Sequence, residues 1–194
     1  MENKDIEQDK KILNKKYILY IFAMFIIVIA FISFIIKSDI EKIKDSVVMV
    51  KAFDQDGTLI STGSGFCAYK SNYIVTNFHV IQGARTIKIM NDDKEEYNVD
   101  KIEIIKSEDD LAILSGKYSF NPIKIDKSQL KVGEKVICIG SPEGQLNTVS
   151  TGIVSNTDDE FQIRITAPIS PGSSGGVLLN NKHKVIGITY ATYN

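Results

Sequence analysis

The sequence predicts an all-β soluble part of sandwich or barrel type, preceded by one apolar N-terminal helix. Three observations carry this. Short runs rich in Val and Ile recur from Val47 onward, as pleated half-buried surfaces favour. Turn residues punctuate them at Asp56-Gly57, Asn91-Asp92-Asp93, Pro142-Glu143-Gly144 and Asn180-Asn181. No long amphipathic helical pattern interrupts the series. The runs fall into two groups separated around Ile125–Gly133, which divides the soluble part into two small barrels, 47–125 and 133–194.

The first element is the apolar run 17–36, YILYIFAMFIIVIAFISFII. It carries no charge, and at about 1.5 Å per helical residue it spans roughly 30 Å, the thickness of a bilayer core. Tyr17 and Tyr20 stand at one end, where an aromatic ring holds the membrane interface. A buried core helix would need a polar face, which this run lacks. A cleaved signal peptide has a shorter apolar stretch of ~7–15 residues and a small-residue site after it, which also is missing, so a retained signal anchor is expected. Residues 1–16 hold five lysines and the 16 residues after the helix hold four. That small excess assigns 1–16 as a cytoplasmic tail and places the rest of a single-pass cell-membrane protein outside the cytoplasm.

Residues 37–46 (KSDIEKIKDS) read as a charged linker or short helix. Strands of the first group are expected at Val47–Phe53, Gly65–Tyr69, Tyr73–Thr76, Thr86–Met90, Glu96–Ile105, Leu111–Leu114 and Pro122–Ile125. Those of the second are expected at Lys135–Gly140, Thr148–Ser155, Phe161–Ala167, Gly176–Leu179 and Lys184–Thr192.

Composition narrows the function classes. Lys and Arg number 23 against 24 Asp and Glu, a net charge of -1, which argues against a nucleic-acid partner. Two cysteines, Cys67 and Cys138, are too few for a disulfide scaffold or a zinc cluster. Each lies in a strand of a different barrel and reads as a buried thiol. The acidic run 91–96 reads as a solvated hairpin loop and lacks the spacing of an EF-hand calcium site. No metal or cofactor is expected.

Three segments carry chemistry: Thr76-Asn77-Phe78-His79-Val80, Asp109-Asp110-Leu111-Ala112-Ile113-Leu114, and Pro171-Gly172-Ser173-Ser174-Gly175-Gly176. A serine hydroxyl attacks only when a base takes its proton. His79 supplies an imidazole that accepts at one nitrogen and donates at the other. Asp110 can accept from the second nitrogen and fix the tautomer. The glycines around Ser174 permit a sharp backbone turn, so the backbone of Gly172, Ser173 and Ser174 is expected to form the oxyanion hole, with the Gly172 and Ser174 N–H groups aimed at the developing charge. The order His, Asp, Ser is the chymotrypsin order. His183 lies in the polar run Asn-Asn-Lys-His-Lys and reads as a solvated hairpin, and Asp109 as a solvated neighbour of Asp110.

Gly63-Ser64-Gly65-Phe66 ahead of His79-Val80, Asp110-Leu-Ala-Ile-Leu, and Ala167-Pro-Ile-Ser-Pro-Gly-Ser-Ser174-Gly-Gly together resemble the trypsin-like serine peptidases, and within them the bacterial HtrA/Deg-type group. The resemblance runs from about Val47 to Thr192. It implies two six-stranded β-barrels with the triad between them, a protein or peptide substrate, and endopeptidase activity without metal or cofactor. It puts Pro168 at the base of the specificity pocket, implying cleavage after small or medium apolar side chains of unfolded or damaged proteins. It makes 188–192, with Tyr190, Ala191 and Thr192, the strand that pairs with the substrate backbone. Trimers in that group extend the expectation to a homo-oligomer. Two departures are expected. The sequence continues into no PDZ module, and it stops before the last strand of the second barrel, leaving five strands and a truncated barrel. The second reading is therefore a catalytically weak fold of this type, used as a tethered binding or chaperone module.

Overall fold

The computed structural model describes residues 16–27, 39–157 and 162–190. Residues 16–27 form a helix, α1, with exposed side chains throughout. Among the described residues no helix is long and apolar enough to cross a membrane. The second half of the expected span, 28–36, lies outside the described residues. The charged linker contains a short helix, α2 (Asp39–Lys44).

The first half of the soluble part is a closed barrel of six strands in the order β1-β2-β3-β6-β5-β4. The strands are β1 (Val47–Phe53), β2 (Leu59–Cys67), β3 (Tyr73–Asn77), β4 (Thr86–Met90), β5 (Glu96–Lys106) and β6 (Leu111–Gly116). All pairings are antiparallel; consecutive strands are joined by short connections, while β1–β4 and β3–β6 pair strands distant in the chain and close the barrel. A one-turn helix, α3 (Phe78–Ile81), follows β3 and was not foreseen by the strand pattern. Val48, Val50, Cys67, Ile74, Ile89 and Leu114 fill the barrel interior.

The second half is a five-stranded sheet in the order β11-β10-β7-β8-β9. Its strands are β7 (Lys135–Gly140), β8 (Thr148–Asn156), β9 (Arg164–Ile165), β10 (Val177–Asn180) and β11 (Val185–Ile188). It is a half-barrel, in keeping with the five strands expected there. Every residue of β10 is buried, because the sheet is covered on both faces. Val177 and Leu179 pack with Ile139 and Val185 against Val47, Phe66, Val75 and Ile113 of the closed barrel. Leu178 faces the other way, toward Val136, Cys138 and Val154. At about 1.5–3 kcal/mol per fully buried aliphatic side chain, the shared cluster is what locks the two halves together.

Four expected strands differ. Of the expected Lys184–Thr192, the described residues form a strand only over Val185–Ile188, and Thr189 and Tyr190 lie beyond it. Pro122–Ile125 is not a strand of either sheet. Its backbone bonds are split, with Ile123 N–H donating to Cys67 and Val185 N–H donating to the Lys124 carbonyl, so the segment bridges the halves. Of the expected strand 161–167, the described residues 162–167 contribute only the two residues of β9, and 161 lies outside the described residues. β2 begins six residues earlier than expected, at Leu59, because its largely exposed first half pairs with β1.

Candidate active site

Register brings the first two segments together. β3 and β6 pair with Asn77 opposite Leu111, so the chain leaving β3 meets the chain entering β6. Phe78 N–H and the Asn77 side-chain amide both donate to the Asp110 carbonyl, at 3.0 and 2.9 Å. Asp110 itself has φ +48°, in the left-handed region that costs a non-glycine residue about 1–2 kcal/mol. Aspartate tolerates it, and the two donors hold it there. The turn of α3 then carries His79 back over Asp110. His79 N–H donates to Asp110 Oδ1 at 2.8 Å and Nδ1 lies 2.6 Å from Oδ2. A carboxylate can only accept, so Nδ1 carries the proton and Nε2 is left with the lone pair.

The third segment comes from the second half, in the loop leading into β10. Gly172 and Gly175 have φ of +92° and +86°. A side chain on Gly175 would overlap the Ser64 carbonyl and Thr76 Oγ1, so only glycine fits. The Ser174 carbonyl accepts from Ser64 N–H at 2.7 Å, which seats the loop against the middle of β2 in the closed barrel. Ser174 is 6% exposed. The Ser173 N–H donates to Ser170 and is spent within the turn. Glu143 N–H donates to the Pro171 carbonyl at 2.9 Å. Because the peptide is trans, this points the Gly172 N–H to the opposite side.

Beside this loop is a cavity of about 130 Å³ lined by Cys138, Gly140, Thr148, Ser150, Pro168, Ser173 and Thr189 among others. Pro168 is one of the residues that line it. Burial pushes the Cys138 thiol up to about 11, so it lines the cavity as a neutral group. The Tyr190 ring stands edge-on to His79, with centroids 5.6 Å apart. Ala191 and Thr192 lie outside the described residues. His183 belongs to the β10–β11 turn, where its N–H donates to Asn180. Asp109 forms a surface ion pair with Lys106 at 3.5 Å. Cys67 and Cys138 are buried free thiols, as expected. Sequence reasoning missed Ser64, Thr189 and Glu143. Ser64 and Thr189 lie inside quoted motifs, but neither residue type nor spacing announces a hydrogen-bond role.

A sequence description of the trypsin-like peptidase domain matches residues 63–188, which include all three segments. The chain belongs to the trypsin-like peptidase family. Among trypsin-like relatives, it is 40% identical over 148 residues to a probable periplasmic serine endoprotease, DegP-like, of Marinomonas sp., covering 72% of this chain and 31% of that one. It is 34% identical over 157 residues to an anti-sigma-I factor of Acetivibrio thermocellus, covering 78% of this chain and 22% of that protein. Its fold is similar to the serine endoprotease of Yersinia pestis, with TM-score 0.73, 27% identity, and coverage of 79% of this chain and 56% of that one. The chain thus spans roughly a fifth to a third of the length of these curated relatives.

Proposed function

We propose that this chain is a membrane-tethered serine endopeptidase of HtrA type. Ser174 is the nucleophile, His79 the general base and acid, and Asp110 the residue that orients the imidazole. The observation that carries this reading is the 2.6 Å contact between His79 Nδ1 and Asp110 Oδ2, which leaves Nε2 as the acceptor. Nε2 takes the Ser174 proton as Oγ attacks the scissile carbonyl, and the Gly172 and Ser174 N–H groups stabilise the oxyanion. His79 then passes the proton to the leaving amine, and water repeats the sequence to release the acyl group.

The cavity beside Pro168 receives the side chain before the cut. Its size and the absence of an acidic residue among its lining favour small or medium apolar side chains. The substrates are unfolded or damaged proteins, and the segment 188–192, with Tyr190, pairs with their backbone. Residues 17–36 anchor the chain in the membrane, 1–16 lie in the cytoplasm, 37–46 form the linker, and 47–194 work outside it, as one subunit of a homo-oligomer.

A fluorophosphonate probe tests the reading. It should label the wild-type protein at Ser174 and fail to label a folded Ser174→Ala variant, which should also lose hydrolysis of unfolded protein. A well-folded wild type that resists the probe would instead support a tethered binding module. Efficient cleavage confined to Arg or Lys sites in a peptide library would defeat the specificity assignment.

A further inference from the structure

Ser64 belongs to β2 of the closed barrel and has no exposed surface, yet most of its polar partners lie in the second half. Its N–H donates to the Ser174 carbonyl at 2.7 Å. Its hydroxyl donates to the Gly172 carbonyl at 2.7 Å and accepts from the Ser141 N–H at 2.7 Å. Its own carbonyl accepts from Thr76 Oγ1 at 2.7 Å. One hydroxyl proton is therefore committed to Gly172, and one lone pair to Ser141.

The placement of these bonds matters more than their number. The Gly172 carbonyl lies in the peptide before the Ser173–Ser174 peptide, and the Ser174 carbonyl in the peptide after it. One residue thus holds the backbone on both sides of the Ser174 N–H. The carbonyl of the intervening peptide, that of Ser173, is held by Thr189 Oγ1 and the Gly176 N–H. In a trans peptide the N–H points opposite to the carbonyl, so its direction is fixed by the three peptides together.

We propose that Ser64 is a positioning residue, through which the closed barrel sets the oxyanion-binding backbone of the second half. This rests on Ser174 being the nucleophile. Removing the hydroxyl leaves the buried Gly172 carbonyl and Ser141 N–H without their partner, and the loop relaxes to satisfy them. The loss then falls on the transition state rather than on substrate binding.

The test compares wild type with Ser64→Ala. Its kcat and its affinity for a peptide boronate, which places a negative oxygen at the oxyanion position, should fall on the order of 10–100-fold. KM and peptide affinity, the latter measured in the Ser174→Ala background with and without the second change, should stay within about threefold. Equal losses in boronate and peptide affinity, or no loss in either, would overturn the proposal. Hydrogen exchange adds an activity-independent readout. The segment 168–178 should exchange faster in the variant while β3 and β6 stay protected, and unchanged exchange there also overturns it. If Ser64→Ala does not fold, Ser64→Cys keeps a hydrogen-bonding group, a weaker donor on a somewhat larger atom, and should lie between wild type and full loss. A wild type that fails to react with the boronate sinks the peptidase reading, while the exchange experiment still decides the role of Ser64.

Discussion

Asp110 makes two bonds to one residue, and their pairing constrains what can replace it. Oδ1 accepts from the His79 backbone N–H, and Oδ2 accepts from the ring Nδ1. In Asp110→Asn the backbone N–H still demands an oxygen, so the amide nitrogen must face Nδ1. The ring then has to accept at Nδ1 and carry its proton on Nε2, where it cannot serve as a base. We expect kcat to fall by roughly 10³–10⁴ with KM and thermal stability nearly unchanged. Steady-state kinetics beside a melting curve checks this, and a loss below tenfold would show that the tautomer is not set by Asp110. This pair was legible in the sequence because two histidines and a motif-bounded aspartate leave few candidates. Ser64 was not, because its role depends on which backbone groups of a distant loop come to lie around it.

Among elements, the glycine loop before β10 is fixed by space as much as by backbone angle. Gly175 and Gly133 have similar φ, +86° and +88°. A side chain at Gly133 meets nothing within 4 Å, whereas one at Gly175 runs into the Ser64 carbonyl and Thr76 Oγ1. Gly133→Ala should therefore cost only the backbone term, about 1 kcal/mol. Gly175→Ala should cost several times that, of order 3 kcal/mol or more, and abolish probe labelling, because the loop must move away from Ser64 on β2. Urea unfolding of the two variants separates the cases, and equal costs would refute the steric argument. The strands themselves were largely readable: β1, β4 and β7 fall where Val and Ile cluster between turn signals. The failures share a cause. In 122–125 and 162–167 the apolar residues pack in the core, but their backbone partners are divided or few, and hydrophobic pattern reports burial rather than pairing.

For the molecule as a whole, the shared cluster makes the two halves one cooperative unit, and alkaline unfolding tests this. Cys67 lies inside the closed barrel and Cys138 inside the second half, 0% and 5% exposed. Burial pushes both thiols from 9.0 up to about 11, and it raises the buried Tyr118 hydroxyl as well. The folded state keeps protons that the unfolded chain releases, so the unfolded state binds fewer protons above pH 9 and stability falls as pH rises. The thiols' stabilising contribution is fully present below pH 9, declines from there, and is gone once pH passes about 11, while that of Tyr118 begins to decline only above pH 10. At about 1.4 kcal/mol per unit, each thiol accounts for on the order of 2–3 kcal/mol of that decline. Urea unfolding at pH 7.5, 9 and 10.5 should give one transition whose midpoint drops across this window. Replacing both cysteines with alanine should flatten the drop, by similar amounts from each half. Two resolved transitions, with Cys67→Ala affecting one and Cys138→Ala the other, would mean that the halves unfold separately. The packing of Ile139, Val177 and Leu179 against Val47, Phe66 and Val75 would then be too weak to hold Ser64 against the loop it positions.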